Sequence, residues 1–222
     1  RHAIRQYLNN KGLIYEERAN FERAMEIYAE CLSLSKQMNE KRSLCVSYCN
    51  IGYILDYQGA LQQALKYFKK AYNLSVQINY KAGMGGYSNN IAQVYIKEKE
   101  YKKAIVLLNS SIDILTNLEV IDKITALIGR AFSYLCLRNE SGLKNDLLEI
   151  EKQLKMNPEY KDYKMFWYLY NIYNQYNQKN KAEKFLKLAY TSLIDRCKNI
   201  IEDHHKDYFL NTYEAKKILY YF

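Results

Sequence analysis

Turn-forming material is scarce in this chain: one proline and eight glycines serve 222 residues. A β-sandwich or a β-barrel needs many short strands joined by such turns, so both are excluded. No apolar run reaches the roughly 18 residues of a membrane-spanning helix, and no membrane span is expected. The first residues, Arg1 and His2, bring neither a methionine nor an apolar leader, and we read the chain as a piece of a longer protein.

Chemistry is scarce as well. Gly83-Met84-Gly85-Gly86 has neither the lysine nor the preceding strand of a phosphate-cradling loop, and we assign it a flexible entry into a helix. No nucleophile is accompanied by a base, so an enzyme is not expected. His204 and His205 are adjacent; on a helix such neighbours point about 100° apart and chelate poorly. Cys45 and Cys49 share a helix face, but no second ligand-rich segment completes a zinc site. Neither a metal nor a cofactor is expected. The five cysteines are an odd number at unrelated spacings within apolar helical patterns. They read as small hydrophobes in a reduced, cytoplasmic setting rather than as a disulfide framework.

Positive charge is in excess, at +9. A basic chain invites nucleic acid or an acidic partner. Here, however, the lysines and arginines are spread along the helical patterns rather than gathered in a block. A solvated basic surface is the reading, and a nucleic-acid partner is not expected.

What the chain does have is a period. Asn10, Asn50 and Asn90 stand 40 residues apart, and the same step relates Gly12, Gly52 and Ala92. It also relates Phe21, Leu61 and Tyr101, and Ala24, Ala64 and Ala104. A period shared by amide, small and aromatic positions marks one supersecondary unit copied and stacked. Within the second copy, Ile51, Ile54 and Leu55 follow helical spacing, pause at Gln58-Gly59, and resume through Leu61, Ala64, Leu65, Phe68 and Ala71. That is helix, tight turn, helix. Small residues at the crossing let two helices approach closely, and large side chains such as Tyr28 and Phe68 are expected to fill the groove toward the next copy. Weaker copies carry Ala131, Tyr134, Leu143 and Leu147, then Tyr170, Tyr173, Ala182, Leu186 and Ala189, at a step of 39.

The succession of small residue, aromatic, Ala, aromatic and Ala across a hairpin resembles the tetratricopeptide repeat. Its long copies look like those of kinesin light chains, spindle-orientation scaffolds and the peptide-sensing regulators of Gram-positive bacteria. The resemblance implies an all-α, right-handed superhelical solenoid of about five hairpins, over residues 4–39, 44–79, 84–119, 123–157 and 162–203. Residues 183–203 read as one long second helix. Residues 204–222 then form a C-terminal capping helix, with Asp207–Leu219 as its body.

In such arrays the first helices line a concave groove. The resemblance implies a peptide-binding role for Asn10, Asn50 and Asn90, whose amides can pair with both N–H and C=O of an extended backbone. Side-chain pockets are expected from Tyr53, Tyr57, Gln93, Lys97, Phe132, Trp167, Tyr168 and Asn171. The charge clamp that grips a terminal carboxylate looks absent, because Asn9, Cys49, Gly86 and Asn89 stand where its cations would be. The expected function is protein–protein interaction, with an extended peptide or partner segment held by the asparagines. The alternative is a regulatory or self-associating module of a larger bacterial signalling protein, forming a homo-oligomer through its C-terminal segment.

Overall fold

The computed structural model describes residues 2–116, 118 and 120–222, except for the side chain of Val120. Among the described residues it holds twelve helices and no strand. Ten of them follow the expected pairs: α1 (His2–Glu17) and α2 (Phe21–Gln37), α3 (Lys41–Tyr57) and α4 (Leu61–Gln77), α5 (Lys81–Lys97) and α6 (Tyr101–Leu115). α7 (Val120–Cys136) and α8 (Glu140–Met156), then α9 (Tyr163–Gln175) and α10 (Lys179–Lys198), complete them. The chain divides into two compact units, residues 1–87 with 196–212, and residues 88–195 with 213–222.

One turn recurs at the ends of α1 to α5, α7 and α9. Ala19, Asn39, Gly59, Asn79 and Lys99 have positive φ, and so do Arg138 and Asn177. Each follows a helix, and the next amide reaches back across the last turn: Asn20 N–H to Tyr15 C=O, Glu40 to Ser35, Ala60 to Leu55, Tyr80 to Ser75. This left-handed closure satisfies carbonyls that a helix end leaves bare. From Ala19 to Lys99 the closures fall every twenty residues, matching helices of 17 residues such as α2, α3 and α4 plus a short link. The 40-residue period is therefore two equal half-periods. Of the three junctions that close the first copies, Asn39-Glu40 and Asn79-Tyr80 have this turn, while Glu119 lies outside the described residues.

In the first unit, rings lie on glycines. A Cβ added at Gly12 would come within 2.4 Å of the Tyr28 ring, and one at Gly52 within 2.6 Å of Phe68. Tyr28 and Phe68 are almost wholly buried. Each ring covers the bare Cα of the first helix in its own hairpin, a contact that spacing alone did not single out. At the same register the third copy carries Ala92 with Leu108, both fully buried. A smaller side chain faces a residue that has regained its Cβ.

The reading of Gly83 is corrected. It lies buried within α5, where a Cβ would meet the Tyr80 ring at 2.4 Å and Tyr87 at 2.9 Å. Close packing explains this glycine better than flexible entry.

In the second unit Ile124, Leu127, Ile128, Leu143 and Ile150 form the buried centre. Asp146, 3% exposed, accepts two bonds from Arg130, Nε at 2.9 Å and Nη2 at 2.6 Å. Burial raises the Asp146 pKa above the usual carboxylate value, and the Arg130 fork opposes that rise.

The end of the chain differs from expectation. α10 stops at Lys198, and a single terminal helix is replaced by two short ones, α11 (Asp203–Leu210) and α12 (Tyr213–Tyr221). The break has a local cause. Asn211 and Thr212 turn both their N–H groups and their side chains back onto Asp207 C=O and Phe209 C=O, and the Thr212 bond spans only three residues, so the helix tightens and closes there.

Two outcomes are expected. Gly52→Ala drives a methyl into Phe68 and costs about 1–3 kcal/mol of stability. Phe68→Leu added to it restores part of that loss, and a denaturant double-mutant cycle should give a coupling of at least ~0.5 kcal/mol. Strictly additive losses would contradict the ring-on-glycine contact. Separately, Lys99→Gly relieves a left-handed non-glycine residue, a strain of about 1–2 kcal/mol offset in part by glycine's greater unfolded freedom. A rise of roughly 0.5–1 kcal/mol in stability is expected. A fall would contradict it.

Candidate functional site

The three recurring asparagines have unequal surroundings. Asn10 is exposed on α1 and Asn90 is half-buried on α5. Asn50 on α3 is buried, and its Nδ2 donates to Oδ1 of Asn9 on α1 at 2.9 Å. One of its two donors is thus spent within the chain. The amides of α1 and α3 stand one hydrogen bond apart.

In the first unit Tyr53 is exposed and sets its ring edge-on to Phe68 at 5.5 Å. Tyr57, at the last turn of α3, stacks on Phe21 with centroids 5.0 Å apart. The Arg196 guanidinium lies 5.2 Å from the Tyr57 ring and 5.1 Å from Phe209. Tyr208 meets Phe21 edge-on at 5.7 Å. α11 therefore packs where Phe21 and Tyr57 come together. A cation between two rings gains from the quadrupole of each.

In the second unit Gln93 Nε2 donates to Asn89 Oδ1 at 3.3 Å, one turn back on α5. Gln93 also lies over Gly129, where a Cβ would approach its Nε2 to 2.7 Å. Lys97, at the end of α5, is mostly covered and faces Glu214 of α12 at 3.7 Å. Phe132 on α7 stacks on Tyr168 of α9 at 4.7 Å and meets Tyr101 edge-on at 6.5 Å. Trp167 is buried, with Tyr170 at 5.1 Å and Tyr221 of α12 at 5.6 Å. Asn171 Nδ2 donates to the Trp167 carbonyl at 2.6 Å, within its own helix.

So the structure groups Phe132 with Tyr168, Tyr57 with Phe21, and Tyr53 with Phe68. It also brings in residues that spacing did not select: Arg196, Tyr208, Phe209, Glu214 and Tyr221. Arg196 carried no signal at all. Glu214 and Tyr221 fell in the C-terminal segment that the sequence assigned to capping or self-association.

Titratable groups give little reactive chemistry. Burial pushes the thiols of Cys31 and Cys45 up to about 11, which keeps them protonated and poorly nucleophilic at neutral pH. Glu202, His204 and His205 bring one ligand atom each within 4.8 Å of one another. The two imidazole rings are 3.9 Å apart, closer than the splayed pair that helical spacing suggested. They sit at the positive end of α11, where the helix dipole opposes a cation.

The tetratricopeptide repeat family model matches residues 3–75. No curated protein matches. Among solved structures, the apo form of RapI is similar at 13% identity and a TM-score of 0.73, over 98% of this chain and 85% of that one. A putative kinesin light chain of Podosopora anserina, with nearly identical TPR-like repeats, is similar at 12% identity and a TM-score of 0.57, over 84% of this chain and 93% of that one. BtubC from P. vanneervenii is similar at 14% identity and a TM-score of 0.62, over 71% of this chain; the chain spans 66% of BtubC's length. Identities this low speak for fold alone. Residues 3–75 carry tetratricopeptide repeats, and the rest of the chain is similar in fold to the solved structures.

Proposed function

We propose that the chain holds an extended partner segment on the first helices of its hairpins. The fold supports a protein–protein interaction module in general; the extended segment and the asparagines are the finer reading. The observation that carries it is the Asn50–Asn9 hydrogen bond, which joins amides of two successive first helices at 2.9 Å. It supports a common side for the amides that α1 and α3 carry at this register. In this reading Asn50 orients its neighbour, while Asn10 and Asn90 address the partner backbone. The buried thiols fit a reduced, cytoplasmic setting, and no helix among the described residues is long and apolar enough to cross a membrane.

Magnitudes decide what else is needed. A net hydrogen bond contributes about 0.5–1.5 kcal/mol, whereas micromolar affinity requires about 8 kcal/mol. Amides alone fall short. The remainder must come from aromatic contacts, with Tyr53 exposed and Tyr57 and Phe132 half-buried, while Trp167 and Tyr168 would have to be uncovered first, and from Gln93, Lys97 and Asn171 at their edges.

The test is selection from a displayed library of short random peptides, followed by Asn10→Ala with Asn90→Ala. Both residues lie outside the fully buried set, so thermal stability should change by less than about 1 kcal/mol. Capture of the selected peptides should fall by at least about tenfold, as expected for loss of one to two hydrogen bonds. Undiminished capture by the doubly substituted chain would mean that the amides are not the site.

A further inference from the structure

We propose that α12 is a resident ligand, occupying a seat in the second unit that a partner helix of the same pattern takes in its place. The proposal rests on the reading that first helices carry the partner surface, and adds the shape and chemistry of the partner: helical here, acidic at one end and aromatic at the other.

α12 has nine residues. A free helix of that length is marginal in water, so docking holds it. Its contacts follow one stripe. Glu214, Ala215 and Ile218 are buried, Tyr221 lies 5.6 Å from Trp167 and 6.1 Å from Tyr170, and Phe222 stacks on Tyr190 at 3.8 Å. Positions 214, 215, 218, 221 and 222 have the i, i+1, i+4, i+7, i+8 spacing by which an amphipathic helix lies in a groove. The opposite side, with Lys216, Lys217 and Tyr220, is exposed.

The seat has matching chemistry. Lys97 supplies a cation for Glu214, with both side chains largely out of water. Trp167, Tyr170 and Tyr190 supply rings for the aromatic end. Lys97 and Trp167 are also residues that repeat register assigns to the partner surface. An acid in a partner helix would answer the same lysine, and its rings the same platform.

Docking is also light enough to reverse. Tyr221 and Phe222 stay 51% and 58% exposed despite their ring contacts, so only Ala215, Ile218 and Glu214 are deeply committed. The break at Asn211-Thr212 uncouples α12 from α11, which packs in the other unit. When the seat is filled in cis, apparent affinity for a competitor falls by the fraction of time the seat is open.

The probe is a fluorescein-labelled synthetic peptide of residues 211–222, measured by anisotropy against the full chain. Tyr221→Ala with Phe222→Ala alters only the half-exposed end of α12, so helicity should fall by no more than α12 contributes, and the remaining helices should melt as in wild type. The doubly substituted chain should bind the peptide at least about tenfold more tightly than wild type, because the seat opens more often. Phe222→Ala alone should give an intermediate gain. Adding Lys97→Glu to the double variant should abolish that binding, and a peptide with Glu214→Lys should recover it. Equal affinity for wild type and variant, or failure of the charge swap, would overturn the proposal. So would a wild-type mass that doubles with concentration and reverts in the variant, because the occupant would then be a second copy. Displayed peptides that need Asn10 and Asn90, yet bind both chains alike, would sink the resident ligand and leave the extended-segment reading standing. Binding of residues 211–222 with no displayed peptide captured would do the reverse.

Discussion

In the first unit each hairpin closes on a ring that rests against a bare Cα. Tyr28 over Gly12 and Phe68 over Gly52 leave no room for a methyl. That contact sets how near the two helices come, and nearness decides which other residues meet. Ala24 and Ala64, fully buried on the second helices, tolerate the same close crossing. With the pair drawn together, the amides on successive first helices come within one hydrogen bond, as Asn50 and Asn9 do. Packing of small against large therefore positions the polar residues that the functional reading uses.

The same constraint explains how the period tolerates change. Ring over glycine in two copies becomes Leu108 with Ala92 in the third and Leu147 with Ala131 in the fourth. Volume moves from one helix to the other while the sum stays similar, the exchange that packed cores accept best. In the last copy the register carries Tyr170 and Leu186, both half-buried. There the large residue has moved to the first helix, and Tyr170 spends its ring on Trp167 and Tyr221 instead. Loss of the repeat's small residue coincides with gain of a platform for α12.

How much of this could be read from sequence follows from how local each cause is. The hairpins were legible because Gly12, Gly52 and the alanines recur at a fixed step, and only small residues meet their steric demand. The turns were half legible. Asn39, Asn79, Asn177 and Gly59 belong to types that enter the left-handed region readily, whereas Ala19, Lys99 and Arg138 do so without advertising it. The asparagine register was visible, but the partner of Asn50 was not, because Asn9 sits one residue before the repeating position. The seat of α12 was illegible for a different reason. Lys97 and Glu214 lie far apart in sequence, and a single cross-chain ion pair leaves no periodic trace. The break at Asn211-Thr212 was missed because helical spacing continues across it, while a three-residue bond from Thr212 N–H to Phe209 C=O, doubled by the threonine hydroxyl, closes the helix there.

The second unit adds charged contacts to its ring pairs, which bears on why it can carry a replaceable helix. Arg130 grips Asp146 with two bonds and reaches Asn109 with a third, at 2.7 Å. Tyr173 and Lys181 both donate to Glu151. These bonds tie α7 to α6 and α8, and α8 to α9 and α10, without help from α12. A buried ion pair adds little net stability against an apolar pair of the same size, yet it disfavours any packing that separates the partners. Neighbouring helices are then held in register by charge rather than by close fit alone. The Lys97–Glu214 pair differs in kind, because one partner sits on a short terminal helix that no other ion pair described in the structure restrains. A unit whose internal contacts close on themselves can release α12 without losing them, and that independence is what a seat for an exchangeable helix requires.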